Sequence, residues 1–198
     1  MQFRVKNTEI KISFTFFAIY FIFLGYGNGD VFLCALVSSL LHECVHILFI
    51  VVFGGQISLI TLNAAGGNIV RMQGTELSLF KEGIISISAP AFNIALGAII
   101  LLFENNNLFA MVNIFLGCFN ILPFFSFDGG RALGYFLSSL LSHNIVERIK
   151  TLISVVVVVF FAFISVYIFF CHNQNYFLIV MSAFMLVTLI LRIKDKKL

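Results

Sequence analysis

The chain has 198 residues, of which 61% are hydrophobic and only 11% charged. A soluble domain of this size carries about 25% charged residues, so this chain lacks the polar side chains to cover a water-facing surface, and a soluble globule is excluded. A net charge of +3 is too small to indicate nucleic acid as a partner. What remains is an all-α polytopic membrane protein, one integral-membrane domain over residues 1–198 in contact with the lipid bilayer. Its 26 phenylalanines and absent tryptophan suit a lipid-facing surface.

A helix needs about 20 apolar residues to cross the hydrocarbon, and six stretches qualify in chain order. The first, 10–25, ends in Gly25-Tyr-Gly-Asn-Gly-Asp30 without a small-residue cleavage site, so it is expected to be a span and not a cleavable signal peptide. The second is 31–53. The loop 54–83 follows, and its "QISLITLNAAGGNIVRM" has β-branched, alternating segments around Ala64-Ala-Gly-Gly67. It suggests either a short β-hairpin dipping into the membrane face or an ordinary surface loop. The remaining spans are 84–103, 108–125, 151–171 and 176–192. All 12 basic residues fall at the N-terminus, in 54–83, in 126–150 or at the C-terminus. Six spans with both termini in the cytosol put every cation on one side, as the positive-inside rule requires. This is the expected topology of a multi-pass protein of the cell membrane. Cys34, Cys44, Cys118 and Cys171 show no CxxC pairing and read as packing residues.

The second span contains Leu40-Leu-His-Glu-Cys-Val-His-Ile-Leu-Phe49. Four residues apart on a helix, His42 and His46 point the same way, about 5–6 Å apart at Cβ, so both rings can bind one metal ion. Glu43 lies at the edge of that face, within reach of a metal-bound water, whereas Cys44 falls on the far side. His-Glu-x-x-His is the helix signature of zinc hydrolases, with two ligands and a general base. An acidic side chain in mid-span costs about 2.5–3.5 kcal/mol, so such a trio persists in a membrane mainly for function. The bland alternative is a polar trio bonded to neighbouring helices.

Zinc needs a third protein ligand and an open position. Asp30 and Glu104 lie at the outer edge, Glu76 and Glu82 in or beside the loop 54–83, and His143 and His172 outside the spans. Asp128, in "FNILPFFSFDGGRA", stands out. Pro123 comes 15 residues after Leu108, about 22 Å along an inward-running helix. The residue before a proline resists helix, and Gly129 and Gly130 permit tight turning. His46 is seven residues from Phe53, about 10 Å from the inner end. An unwound Phe124–Asp128 segment therefore presents its carboxylate near the level of the imidazoles. The alternative is a plain Asp-Gly-Gly turn at a membrane edge.

His42-Glu43-x-x-His46, Ser88-Ala-Pro90-Ala-Phe-Asn93 and Asn120-x-x-Pro123-x-x-x-x-Asp128-Gly129-Gly130 together resemble the site-2 protease family, peptidase family M50, of intramembrane zinc metalloproteases. "ITLNAAGGNI" and Phe80-Lys-Glu82 fit it too. The resemblance covers about residues 30–135, the expected catalytic core, and is closest to the stage IV sporulation protein FB type. The chain departs from the family at Ala89, Ser126 and Phe127, which alters loop shape and not ligand chemistry. The nucleotide-sensing and PDZ domains of some relatives are not expected here.

The resemblance implies Zn2+ held by His42, His46 and Asp128, lowering the pKa of its water to near 7, with Glu43 as general base. It implies an oxyanion-stabilising role for Asn120 and a substrate- or loop-orienting role for Asn93. The expected reaction is peptide-bond hydrolysis in transmembrane or membrane-associated protein substrates. The rival readings are a membrane zinc hydrolase acting on another bond, a catalytically inactive scaffold retaining the fold, and a transporter-like protein. A transport path would spread polar residues along several spans, whereas these cluster at one depth.

Overall fold

The computed structural model describes residues 2–5, 8–12, 29–63, 66–72, 74–171 and 176–195. It is a helical membrane fold with one small sheet. The helices are α1 (Gly29–Val52), α2 (Leu79–Phe103), α3 (Leu108–Asn120), α4 (Asp128–Ser138), α5 (His143–Cys171) and α6 (Tyr176–Asp195). Helices α1, α2 and α5 are long and apolar enough to cross a membrane, and α3 is a shorter apolar helix. On α5, Phe163 and Phe170 are 72% and 80% exposed; a contiguous apolar face of this kind belongs against lipid, because soluble monomers rarely leave such patches open. The described residues form two compact units, Met1–Ile121 and Leu122–Leu198.

In the first unit α1 ends where its sequence says it must. Gly54 takes a positive φ of 90°, Gly54 N–H donates to Val51 O at 3.0 Å and Gly55 N–H to Ile50 O at 2.8 Å. This is a Schellman termination, which a residue with a Cβ enters only under strain. The chain then forms β3 (Ile57–Asn63) and β4 (Gly66–Arg71), an antiparallel hairpin with Leu62 opposite Gly67. The expected strand pairing of this segment is present. Two further strands were not foreseen: β1 (Gln2–Val5) and β2 (Thr8–Ile12) complete a sheet ordered β1-β2-β3-β4, with β2 parallel to β3. Residues 10–12, expected to open the first span, lie in β2; the rest of that span is outside the described residues. The segment "TEIKI" alternates polar and apolar residues, a strand period that the neighbouring apolar run obscures.

Ile50 of α1, Ile57 of β3 and Ile85 of α2 form a buried cluster flanked by Phe53, Ile60, Ile69 and Leu77. The ion pair of Arg71 and Glu82 ties β4 to the first turn of α2. Helix α2 starts at Ser78, whose hydroxyl accepts from Lys81 N–H, and α3 starts at Asn107, whose Oδ1 accepts from Ala110 N–H at 3.0 Å; both are preferred N-cap residues. The two helices approach until a Cβ on Gly97 would meet Ala110 O at 2.5 Å and one on Gly117 would meet Pro90 O at 2.6 Å. Small residues at such crossings are how membrane helices gain contact when no water drives them together.

Helix α3 is shorter than the expected span 108–125. It closes at Asn120, with the C-cap Ile121 N–H bonded to Gly117 O, because Pro123 disfavours helix at the residue before it. In the second unit, residues expected to be a long connection instead hold α4 and the first turns of α5. Helix α5 begins at His143, eight residues before the expected 151. Its polar turns are held by Glu147, which pairs with Arg192 of α6 at 2.6 Å and with Lys150 at 3.3 Å.

Candidate functional site

Along α1 the buried residues are Ser38, His42, Val45, His46 and Ile50, a single stripe at helical spacing. The two imidazoles lie on it with ring centroids 4.9 Å apart and planes at 86°, and they are 6% and 8% exposed. His46 Nδ1 lies 2.9 Å from the carbonyl oxygen of Ile85. A carbonyl only accepts, so Nδ1 is the donor in this contact, as in histidines that ligate a metal through Nε2. Glu43 is half-buried at the edge of the stripe, and Cys44 is exposed on the other side, as the helix spacing predicted. Asn120, the expected oxyanion donor, ends α3, and its Nδ2 donates to Leu116 O at 3.1 Å. An amide nitrogen carries two hydrogens, so one remains for another acceptor.

In the second unit Asp128 is the first residue of α4 and is 7% exposed. The turn before it is built from aromatic rings and backbone. Phe124 is fully buried, with its centroid 4.6 Å from that of Phe125 and 4.9 Å from that of Phe127. Phe127 N–H bonds Phe124 O at 2.9 Å, Arg131 N–H bonds Phe127 O at 3.0 Å, and Phe125 N–H bonds Ser154 Oγ at 3.0 Å. A Cβ on Gly130 would strike Phe124 O, so the second glycine of Asp-Gly-Gly is required by close approach of backbone. The unwinding expected at Phe124–Asp128 thus occupies residues 121–127, and Asp128 itself opens the next helix. A carboxylate there gains from the positive end of the helix dipole, and Arg131 Nη1 lies 3.9 Å away.

The other acidic and imidazole candidates fall elsewhere. Asp30, Glu76, Glu104 and His143 are exposed, Glu82 is engaged by Arg71, and His172 is outside the described residues. Two contacts were not legible in the sequence: the Arg71–Glu82 pair and the Ile85 carbonyl that faces His46 Nδ1. Side-chain periodicity marks faces, not backbone acceptors, and nothing local pairs a loop arginine with a helix glutamate.

The family model of peptidase family M50 matches residues 104–164, a stretch that contains Asn120 and Asp128. A zinc metalloprotease of Methanocaldococcus jannaschii is 32% identical over 148 residues, 66% of this chain and 42% of the relative. The structure of a site-2 protease from the same organism superposes with a TM-score of 0.65 at 25% identity, covering 93% of this chain and 91% of that one. The chain spans about two fifths of the curated relative's length, while nearly the whole of the solved site-2 protease chain is matched. The expected relation to site-2 proteases, made on three short motifs, therefore extends over the chain.

Proposed function

We propose that this protein is a member of peptidase family M50, an intramembrane zinc metalloprotease in which His42, His46 and Asp128 would each give one ligand atom to a single zinc ion. The observation that carries the reading is the His46 ring, held by Ile85 O with its other nitrogen aimed away from that bond, beside a second buried imidazole. The donor chemistry suits zinc: two imidazoles and one carboxylate are a known catalytic set that leaves a fourth position open. Zinc, when bound, supplies the Lewis acidity that makes water a nucleophile near neutral pH.

The chain's own residues do the rest. Glu43 takes the proton of the attacking water and delivers it to the leaving amine nitrogen. The second amide hydrogen of Asn120 stabilises charge building on the carbonyl oxygen, and Asp128 sits at a helix N-terminus, where the dipole favours negative charge. Residues 1–198 act as a single domain with both termini cytosolic, and the substrates are transmembrane or membrane-associated proteins. Regulated intramembrane proteolysis of the sporulation type is the physiological pattern this reading extends to.

The test is purification in detergent with metal analysis, then comparison of wild type with Glu43→Gln on a panel of single-span substrates. One zinc per chain in both proteins and cleavage by wild type alone is the expected result. Wild type without zinc, or equal cleavage by the two, rejects the reading and favours an inactive scaffold.

An extended substrate also needs backbone partners once its helix unwinds. Strand β3 has neighbours on both sides, whereas β4 ends the sheet order, and an edge strand is where a further strand adds. The pairing with an extended substrate is therefore assigned to β4. Ile69→Pro in β4 is expected to slow cleavage while zinc content holds; unchanged cleavage would remove β4 from the mechanism.

A further inference from the structure

Ser38, Asn93 and Asn113 are each 0% exposed and sit in three different helices, α1, α2 and α3. Asn113 Nδ2 donates to Ser38 Oγ at 2.8 Å and to Phe109 O at 2.9 Å. Asn113 Oδ1 and both Nδ2 and Oδ1 of Asn93 have no hydrogen-bond partner among the described residues. From these unmet atoms we infer an internal water site enclosed by Ser38, Asn93 and Asn113, one helical turn along α1 from His42.

The helices bring these residues to one level. The contacts His46 Nδ1–Ile85 O and Lys81 Nζ–Phe53 O show that α1 and α2 run in opposite directions. Ser38 is eight residues before His46, and Asn93 is eight residues after Ile85; each step is about 12 Å at helical rise. Helix α3 is fixed against α2 where Gly97 meets Ala110 and where Gly117 meets Pro90. Asn93 lies between Pro90 and Gly97, and Asn113 between Ala110 and Gly117, so both fall between the two crossings.

The unmet atoms define the ligand. Two are carbonyl oxygens and one is an amide nitrogen. A water molecule donates twice and accepts twice, so a single one can donate to Asn93 Oδ1 and Asn113 Oδ1 and accept from Asn93 Nδ2. That makes three hydrogen bonds, the usual number for a buried water. Without it, three polar atoms stay desolvated in an apolar helix bundle, which costs more than an ordinary hydrogen bond returns. Ser38, His42 and His46 recur at four-residue intervals on the same buried stripe. The site thus continues the polar line of the imidazole pair by one turn and holds solvent beside His42 on the side away from the sheet. It depends only on the first unit, so it stands independently of the metal reading.

The test uses the full chain in lipid nanodiscs with 15N-labelled asparagine and solid-state NMR, following polarisation transferred from water to the side-chain amides. Asn93→Leu and Asn113→Leu identify the two signals. Both amides are expected to gain signal from water, as exposed Asn105 does, with and without a zinc chelator, and Asn93→Leu is expected to remove the transfer to Asn113. Silent Asn93 and Asn113 amides beside a responding Asn105 overturn the proposal. If either leucine variant does not fold, solvent density among the three side chains in a high-resolution map decides instead: its presence supports the site, and a dry contact refutes it.

Discussion

Along α1 the chain never leaves the helix, and two imidazoles are placed by spacing alone: four residues, one turn, one buried face. Between α3 and α4 it leaves the helix for residues 121–127, and a carboxylate is placed by breaking regular structure and restarting it at Asp128. The first region is robust because each helical hydrogen bond supports the next. The second depends on particular residues: Pro123 to stop α3, Phe124 to fill the turn, Ser154 to hold Phe125, and Gly130 to let backbone pass backbone. A polar group inside an apolar sequence can thus be aimed either by periodicity or by interruption, and the two differ in what damages them.

Chemistry carries the largest expected effects, and both regions should share them. Glu43→Gln is expected to lower cleavage about 10²–10⁴-fold, the usual worth of a general base, with zinc retained. His46→Ala and Asp128→Ala are expected to lose zinc and activity together. Metal analysis of the purified variants checks this, and a His46→Ala protein that binds zinc like wild type would detach α1 from the metal.

Next in size is the turn. Gly130→Val must displace the Phe124 carbonyl, and forced overpacking costs about 1–3 kcal/mol. Thermal unfolding in detergent should show the loss, together with reduced zinc occupancy, because the start of α4 moves. A variant with full stability and full zinc would show that the interruption is not set by this glycine.

The end of α1 gives a smaller effect. Gly54→Ala puts a Cβ at a φ of 90°, which costs about 1–2 kcal/mol in the left-handed region, and eight residues separate it from His46. Lower melting temperature with unchanged zinc is the expected result; lost zinc would mean that α1 is less self-supporting than its regularity suggests. Smallest of all is Cys44→Ala, on the exposed face beside Glu43. It should change stability by no more than about 0.5 kcal/mol and leave zinc and cleavage as they were.

How legible each feature was follows from the same contrast. The boundaries of α1 (Gly29–Val52 against an expected 31–53) and the exposure of Cys44 came directly from apolar length and helical period. The hairpin of β3 and β4 came from alternation around Gly66 and Gly67. Helix α4 did not, since "DGGRALGYFLS" opens with two glycines, poor helix formers that read as a turn. Strands β1 and β2 were missed because strand pairing is a relation between distant segments: β2 lies against β3, about 50 residues later.

The sequence by itself determined that the chain is a helical membrane protein and that His42, Glu43 and His46 fall together on one apolar helix. Hydrophobic length, helical period and the cost of buried charge are properties of local sequence. Only the tertiary structure decided which nitrogen of His46 faces the Ile85 carbonyl, that Glu82 is taken by Arg71, that four strands share one sheet, and that Asn93 and Asn113 keep polar atoms unmet among the described residues. Those outcomes turn on hydrogen-bond partners far apart in the chain, and a partner is fixed only when packing brings the two groups to one place.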